Sequence, residues 1–416
     1  MTGTLHLWLR GQRLGEISQL RNGRLRLRYD TEALDTYGLG ARPLSLSLPL
    51  TDKRVQGDAL ERFLDNLLPE GAVRGALERA YRIRPGDTFA LLTRIGRECA
   101  GAIQLTADAA APGDGELVDL EPSEVDRIVS SLPTLDPPEG QAVSASLGGV
   151  QSKVLLTRTG NGWAWPADGA MSTHLIKPEP VTDVGPADLI RWEEWTLRLA
   201  RAAGLPAARA ELADFDGRLA LVVERFDRTE GRRTHQEDFT QALGVAARDK
   251  YESSTSDARL RRVALEAGAE ARSPAGLVTD LLAQVAFNLI VGNGDAHSKN
   301  YSLVIDETAT FSMAPLYDVA PVYLLNELYQ NFGHNLDGQA RLRYLTAEHL
   351  VREASGWGIS NEVVAQVMSV VATGVRRALP GAQVEVIDVD AVADVVDRRA
   401  AAMLAVVSDD ASAAPA

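Results

Sequence analysis

The chain has 416 residues, 45% hydrophobic and 24% charged, enough for two or three domains around a sizeable core. Its 43 Lys and Arg against 57 Asp and Glu leave a net charge of −14, which argues against nucleic-acid binding by the bulk of the chain and suits a basic protein partner. A single cysteine, Cys99, excludes an intramolecular disulfide framework and a cysteine-based zinc site, and favours a reducing compartment.

Met1 to Arg10 alternate instead of forming an apolar run, so no signal peptide is expected. Leu5, Leu7 and Leu9 alternate with polar or half-polar neighbours, and Asn22-Gly23 opens a second alternating run through Leu25, Leu27 and Tyr29, a hairpin signal. The period then changes: Leu60, Phe63, Leu64, Leu67 and Leu68 sit at helical spacing, and Pro69-Glu70-Gly71 ends that helix. Two breaker-rich stretches, Ala107 to Glu116 and Ser131 to Gly140, flank a segment long enough for one helix. Beyond them a glycine turn, Ser146 to Lys153, leads into Val154, Leu155 and Leu156. A short strand is expected at His174 to Lys177, and an amphipathic helix from about Pro186 to Ala203, stopped by Gly204 and Pro206. Asp216-Gly217 turns another hairpin, whose second strand, Leu219 to Val223, runs into Glu224-Arg-Phe-Asp-Arg228. Ser273-Pro274 reads as an N-cap and first helical residue of an apolar helix through Ile290. No stretch approaches ~18 uninterrupted apolar residues, so no membrane span is expected. The remainder is expected to be mostly helical, with a frayed end from Ser408 to Ala416.

Four local features carry chemistry. Gly292-Asn-Gly-Asp295-Ala-His-Ser-Lys-Asn300 follows the apolar helix, and Tyr301 to Ile305 then reads as a strand; Asp295 and Asn300 have the spacing of base and metal ligand in a protein-kinase catalytic loop. One carboxylate there takes the acceptor's proton, and a second oxygen ligand grips Mg²⁺ so that the transferred phosphate lies between them. Asp318, in Pro315-Leu-Tyr-Asp-Val-Ala-Pro321, leaves an apolar strand where a kinase keeps its other Mg²⁺ ligand, although Val319 and Ala320 replace the Phe and Gly of Asp-Phe-Gly. Lys177 on a strand, followed by Glu194 (or Glu193) on the next helix, suits a phosphate-contacting ion pair. Gly148-Gly149 with Lys153 lets backbone N–H groups approach phosphate oxygens.

Alone, each is as readily a polar turn, a strand-end Asp, a surface ion pair or a plain glycine turn. Their order along the chain is the more informative observation. No Gly-x-x-x-x-Gly-Lys-Ser/Thr and no Gly-x-Gly-x-x-Gly after a strand is present, which disfavours P-loop and Rossmann enzymes. The six His lie far apart, against catalytic zinc, and no Gly-x-Ser-x-Gly elbow supports a Ser-His-Asp triad.

Several segments together resemble the HipA family of serine/threonine-protein kinase toxins: Pro43 to Pro49, Phe63 to Gly71, Ser146 to Lys153, Thr173 to Lys177, Val223 to Arg228, His235-Gln-Glu-Asp-Phe239, Gly294 to Asn300 and Leu316-Tyr-Asp318. They span nearly the whole chain in the family's order. The resemblance implies an α+β, two-lobed, protein-kinase-like fold with a small N-terminal α/β subdomain and a mostly helical C-terminal lobe. It implies an N-terminal subdomain over 1–106, a linker region over 107–141, a kinase N-lobe-like part over 142–228, a helical C-lobe with the catalytic loop over 229–407, and a disordered tail over 408–416.

Carried over by position, Asp295 is the catalytic base, and Asn300 and Asp318 are the Mg²⁺ ligands. ATP contacts fall to Gly148, Gly149, Val150, Gln151, Ser152, Lys153 and Lys177, to Glu224, Arg225 and Phe226 at the hinge, and to His297, Ser298, Lys299, Asn300, Tyr317 and Asp318. The autophosphorylated serine maps to Ser146, with Ser144 and Ser152 as neighbouring alternatives; a phosphate there should clash with those of ATP and switch the enzyme off. Ser152 departs from the acidic residue of well-known members, and Gly149 from an alanine. The implied protein is a cytoplasmic toxin that uses Mg-ATP to phosphorylate a translation protein, an aminoacyl-tRNA synthetase. A HipB-like helix-turn-helix antitoxin neutralises it and links it to DNA indirectly. The alternatives are a catalytically silent co-repressor of the antitoxin, and a small-molecule or lipid kinase on the same fold. The chain has no basic, aromatic membrane-facing stretch to support the lipid version.

Overall fold

A computed structural model describes residues 3–132, 135–143, 151–160, 162–180, 188–254, 256–382 and 389–413. The chain forms two compact units: Met1–Pro178 with Ala213–Ala247 and Val304–Thr310, and Glu179–Leu212 with Arg248–Leu303 and Phe311–Ala416.

The first unit contains a five-stranded antiparallel sheet in the order β4–β3–β2–β1–β5, built from β1 (Gly3–Leu9), β2 (Gln12–Gln19), β3 (Leu25–Tyr29), β4 (Val55–Gln56) and β5 (Ile103–Thr106). Alternation puts Leu5, Leu7 and Leu9 on one face, where they share a core with Leu27, Phe63 and Leu64. Asn22-Gly23 turns between β2 and β3 as its composition suggests. β2 itself was not anticipated. It is launched by Arg10 and Gly11 at φ 52° and 75°, a two-residue turn with both φ positive, and Gly11 was its sequence signal. The helix expected from Leu60 runs over Asp58–Asn66, starting before Leu60 and ending before Leu67 and Leu68, and a further helix, Gly71–Ala80, follows the Pro69 break.

A second, six-stranded sheet has the order β10–β11–β9–β7–β8–β6, from β6 (Glu116–Leu120), β7 (Val154–Thr159), β8 (Gly162–Ala167), β9 (His174–Pro178), β10 (Ala210–Phe215, of which 213–215 belong to this unit) and β11 (Arg218–Glu224). Asp216-Gly217 makes the expected β10–β11 hairpin, at φ 50° and 82°. Residues 107–141, expected as a linker with one helix, also supply β6, which pairs antiparallel with β8; Leu117 and Val118 gave too short an apolar run to stand out among the breakers. The helix Pro122–Ser131 covers one face of this sheet with Val125, Ile128 and Val129 against Val154, Leu156, Ile176 and Val222. By the two-residue period, Lys177 points to the opposite face.

The first unit is tied together by a buried ionic cluster. Glu98 accepts from Arg225 and Arg228, each at 3.0 Å, and from Arg233. Arg225 also grips both oxygens of Asp227, which accepts from the Gly101 N–H at 2.7 Å. Burial alone would raise the Asp227 carboxyl, but Arg225 and Arg228 outweigh it and hold it well below the usual carboxylate range. Burial pulls Arg228 down to about 9 and pushes the Cys99 thiol up to about 12. Beside the cluster, His235 is pushed down to about 3 by burial. It is therefore neutral, with Nε2–H donating to Leu44 O at 2.8 Å and Nδ1 accepting from Ala102 N–H at 3.4 Å.

The second unit is centred on the helix Pro274–Val291. Ser273 caps it, its side chain accepting from Gly276 N–H at 3.2 Å, and Pro274 is the first helical residue, as read from the sequence. This helix is long and apolar enough to cross a bilayer by length and composition, yet it is mostly buried. It packs against the helices Arg259–Ala269, Asn361–Ala378 and Asp390–Ala413. The helix expected from Pro186 runs over Leu189–Ala202; 186 and 187 lie outside the described residues. The C-terminal part is mostly helical, as expected, and also holds a hairpin, Asn331–Leu336 with Gln339–Arg341, around Asp337-Gly338, a turn signal of the same kind as Asp216-Gly217. The last helix reaches Ala413, past the expected frayed start at Ser408.

Glu98→Ala leaves Arg225 and Arg228 buried without their shared anion, and should cost about 3–5 kcal/mol of unfolding free energy by urea denaturation. Glu237, fully buried, is pushed up to about 8 by burial while accepting from Leu46 N–H at 2.8 Å. Below about pH 4.5 both folded and unfolded chains hold its proton, but between there and about 8 only the folded chain does. Stability therefore falls with rising pH by up to ~1.4 kcal/mol per unit from this group. Glu237→Gln should flatten the dependence of unfolding free energy on pH between about 5 and 8 relative to wild type.

Candidate active site

The helix Pro274–Val291 ends at Gly292, which at φ 77° takes the left-handed conformation that turns the chain into the loop carrying Asp295. That loop is held by a chain of amides. Asn288, buried in the helix, donates to Gln284 O and to Tyr301 Oη, each at 3.0 Å. Its Oδ1 accepts from Asn293 Nδ2 at 2.8 Å, and Asn293 Oδ1 in turn accepts from the Asp295 N–H at 3.0 Å. On the other side, Asp295 O accepts from His297 N–H at 2.7 Å and from Asn300 Nδ2 at 2.9 Å. The backbone of Asp295 is thus fixed by its own loop and by the helix that precedes it.

Backbone approach tightens the loop further. A Cβ on Gly294 would lie 2.4 Å from Tyr329 O, and one on Gly333 would lie 2.2 Å from Ala296 O. Only a residue without a side chain fits at either place.

The Asp295 side chain is about one-third exposed (35%). Its Oδ1 accepts from the Tyr251 hydroxyl, and His297 Nε2 lies 3.9 Å from the same oxygen. Burial pushes the Asp295 carboxyl up to about 6; the Tyr251 hydrogen bond and Lys250 oppose that shift, and the charge of Asp318 adds to it. His297 is pushed down to about 3, first by burial and then by Lys250, so its ring is neutral; it meets the Tyr251 ring edge-on at 5.0 Å. Asp318 acts electrostatically on Asp295, His297 and Tyr251 alike, and so belongs to the same site. It has φ 55°, and it follows a single bridge, Leu316 with Ala207, where an apolar strand was expected. Ser302–Ile305 forms the strand expected after the loop. Tyr317 is fixed by its hydroxyl, 2.6 Å from Ser302 Oγ and donating to Lys299 O at 2.9 Å.

Asp295, His297, Asn300, Tyr317 and Asp318 thus come together as the sequence suggested. The side chains of two other candidates are bonded within the protein. Ser298 is fully buried, its Oγ taken by Arg259 at 3.1 Å and its N–H by Lys250 O at 3.1 Å. The Arg225 guanidinium is consumed by Glu98 and Asp227, and its N–H by Thr173 O at 2.9 Å. Lys299 is buried. In the first unit, Lys177 is buried on β9, Gln151, Ser152 and Lys153 are half-buried, Glu224 is exposed and Phe226 half-buried. Glu194 pairs with Arg198 at 3.5 Å in its own helix; Glu193 is the more buried of the two. Ser144, Ser146, Gly148, Gly149 and Val150 lie outside the described residues.

The sequence reading missed Tyr251, Asn288, Asn293 and Gly333. Asn288 had a signal, a polar residue within the apolar run of its helix. Tyr251 had none, being 44 residues from the carboxylate it touches.

The HipA-like C-terminal domain model matches residues 145–379, and the HipA N-terminal domain model matches 5–106. The chain belongs to the HipA family. It is 35% identical to the putative kinase Y4mE of Sinorhizobium fredii over 83% of each chain. It is 31% identical to the serine/threonine-protein kinase toxin HipA of Shewanella oneidensis, over 83% of this chain and 81% of that one. The HipA-family fold is matched by the solved complex of Shewanella oneidensis HipA, HipB and operator DNA, with a TM-score of 0.78, 28% identity and 97% of both chains covered. The fold is the two-lobed α+β kinase-like one, and the names of the HipA relatives support a kinase.

Gly333→Ala must push Ala296 and His297 aside, and with them the carboxylate between Asn293 and Asn300. A displacement of ~1 Å there should lower phosphoryl transfer on the order of 10²-fold, measured as incorporation of label from ATP.

Proposed function

We propose that the chain is the toxin of a toxin–antitoxin pair: a serine/threonine-protein kinase that transfers the γ-phosphate of ATP to a protein hydroxyl. The observation that carries this reading is one site holding a partly buried carboxylate, Asp295, an amide, Asn300, and a second carboxylate, Asp318, on a HipA-family fold. Asp295 takes the acceptor's proton as the acceptor oxygen bonds to the γ-phosphorus and the bond to the bridging oxygen breaks, releasing ADP.

Asn300 and Asp318 are the proposed Mg²⁺ ligands, and their chemistry fits the ion. The amide nitrogen of Asn300 is tied to Asp295 O, leaving Oδ1 as its ligand atom, and Asp318 brings a carboxylate. Mg²⁺ commonly takes one or two carboxylates, with phosphate oxygens and water completing its shell. Among the described residues no group of three or more His, Cys, Asp or Glu could hold a metal by itself. When bound, the metal neutralises charge on the phosphates. Lys177 and Lys153 are the proposed phosphate-contacting lysines, Glu224 and Phe226 the adenine contacts, and Ser146 the autophosphorylated serine. His297, beside the Tyr251 ring, is a proposed nucleotide-lining residue.

The proposed partner is a HipB-like, basic helix-turn-helix antitoxin, supported by the Shewanella assembly with HipB and by this chain's net charge of −14. DNA is reached only through that partner. The proposed substrate is an aminoacyl-tRNA synthetase, on the strength of the family resemblance.

Wild type and Asp295→Ala are incubated with labelled ATP and Mg²⁺, and phosphosites are mapped by mass spectrometry. Loss of the base should slow transfer ~10²-fold or more. Label on Ser146 in wild type supports the kinase and its self-inactivation together. Absence of both label and ATP binding in wild type would sink the reading in favour of a silent co-repressor.

A further inference from the structure

We infer that Tyr251 is a positioning residue, whose hydroxyl holds the Asp295 carboxylate by Oδ1 and so presents Oδ2 to the acceptor hydroxyl. The inference rests on the kinase reading above and assigns a part of that site which its spacing does not reveal.

Apart from the Tyr251 hydroxyl, the hydrogen bonds that fix Asp295 act on its backbone: its N–H to Asn293, and its O to His297 and Asn300. They leave the carboxylate free to rotate about its own Cβ–Cγ bond. Among the described residues the Tyr251 hydroxyl is the one hydrogen-bond donor to that carboxylate, and it goes to Oδ1. The neutral His297 ring, 3.9 Å from the same oxygen, supplies no charge to orient it. A general base needs one oxygen turned to the acceptor and a reason for it to stay turned. Tyr251 supplies the reason.

Tyr251 is itself mounted rigidly. Just before it, Lys250 O accepts from Ser298 N–H at 3.1 Å and from Arg259 Nη1 at 3.1 Å. Just after it, Glu252 N–H donates to Gly333 O at 2.9 Å, and the buried Glu252 side chain pairs with buried His334 Nδ1 at 3.0 Å. The segment is therefore stitched to the catalytic loop on one side and to the strand Asn331–Leu336 on the other. The edge-on contact with His297 braces the ring. Because 43% of the Tyr251 surface is exposed, the rival role is a gate whose hydroxyl stands in for the acceptor's and must swing away. A bonded backbone on both flanks and a braced ring favour the fixed prop.

Wild type, Tyr251→Phe, Asp295→Ala and the double variant are compared as full-length chains. Single-turnover incorporation of label from Mg-ATP into the chain itself gives the rate, and a fluorescent ATP analogue gives nucleotide affinity. Tyr251→Phe should slow transfer at saturating ATP on the order of tenfold, the loss of one hydrogen bond to a charged group. Nucleotide affinity should stay within about twofold, which also shows the site folded. In the Asp295→Ala background the same substitution should cause no further slowing, since the carboxylate it orients is gone. An unchanged rate, or equal slowing in both backgrounds, overturns the inference, and a faster Tyr251→Phe chain replaces it with the gate. A wild type that binds the analogue but transfers no label overturns the kinase reading and the inference with it.

Discussion

The first unit depends on one buried anion. Glu98 is fully inaccessible and receives three guanidinium groups, from Arg225, Arg228 and Arg233; with Asp227, two carboxylates face three arginines. Desolvating that many charges is expensive, and such clusters persist only where every remaining donor and acceptor finds a partner. Here they do: Cys99 O and Gly101 O take Arg228, Gly101 N–H takes Asp227, and Ser172 Oγ bridges Arg225 and Glu98. The consequence is topological. Residues 98–101 belong to the segment leading into β5, while 225–233 leave the end of β11, so the geometry of Glu224 to Asp227 is set by side chains 127 positions upstream. The N-terminal subdomain is part of the core that shapes the exit of β11, which is why it forms one compact unit with the second sheet.

The site in the second unit is held by the opposite means. Its scaffold is a run of neutral amides, Asn288 to Asn293 to the Asp295 backbone, with Tyr301 at the far end. Neutral hydrogen bonds orient without adding charge. Burial is the largest influence on the Asp295 carboxyl, and with Asp318 it outweighs the Tyr251 hydrogen bond and Lys250 and pushes the carboxyl up to about 6. An arginine in the place of Tyr251 would hold the carboxylate equally well and make it a poorer base. The buried Asp227 and the partly buried Asp295 therefore move in opposite directions because the groups beside their carboxylates differ: guanidinium groups in one case, a phenol and a second carboxylate in the other.

Much of this was legible in the sequence. Local signals, whose cause is local, read correctly: the Asn22-Gly23 and Asp216-Gly217 turns, the Ser273-Pro274 start, and the Asp295–Asn300 spacing that one short loop must satisfy. β2 was passed over because its pattern, with Leu14 and Ile17 buried, does not keep strict alternation past the register shift opposite Leu7 and Trp8. The hairpin at Asp337-Gly338 was lost in a segment read as helical from its surroundings. Arg225 and Ser298 stand inside the segments that resemble the family's nucleotide motifs. Their real partners, Glu98 and Arg259, lie 127 and 39 residues away and leave no trace in spacing. Tyr251 was missed for the same reason.

The departure of Asp318-Val-Ala from Asp-Phe-Gly has a local explanation. The chain must reverse after the Leu316 bridge, and it does so at Asp318 itself, which takes φ 55°. Aspartate tolerates the left-handed region better than most residues, at a cost of roughly 1–2 kcal/mol that the surrounding packing must cover. With the turn made there, no glycine is needed after it. Val319 and Ala320 are free to be apolar and are buried at 1% and 6% exposure, and Val322 N–H donates to Ala320 O at 2.8 Å to start the short helix Val322–Leu325. Tyr323 N–H then donates to Gly292 O at 3.1 Å, returning the segment to the end of the central helix. The strained residue is thus clamped from behind by its own downstream helix.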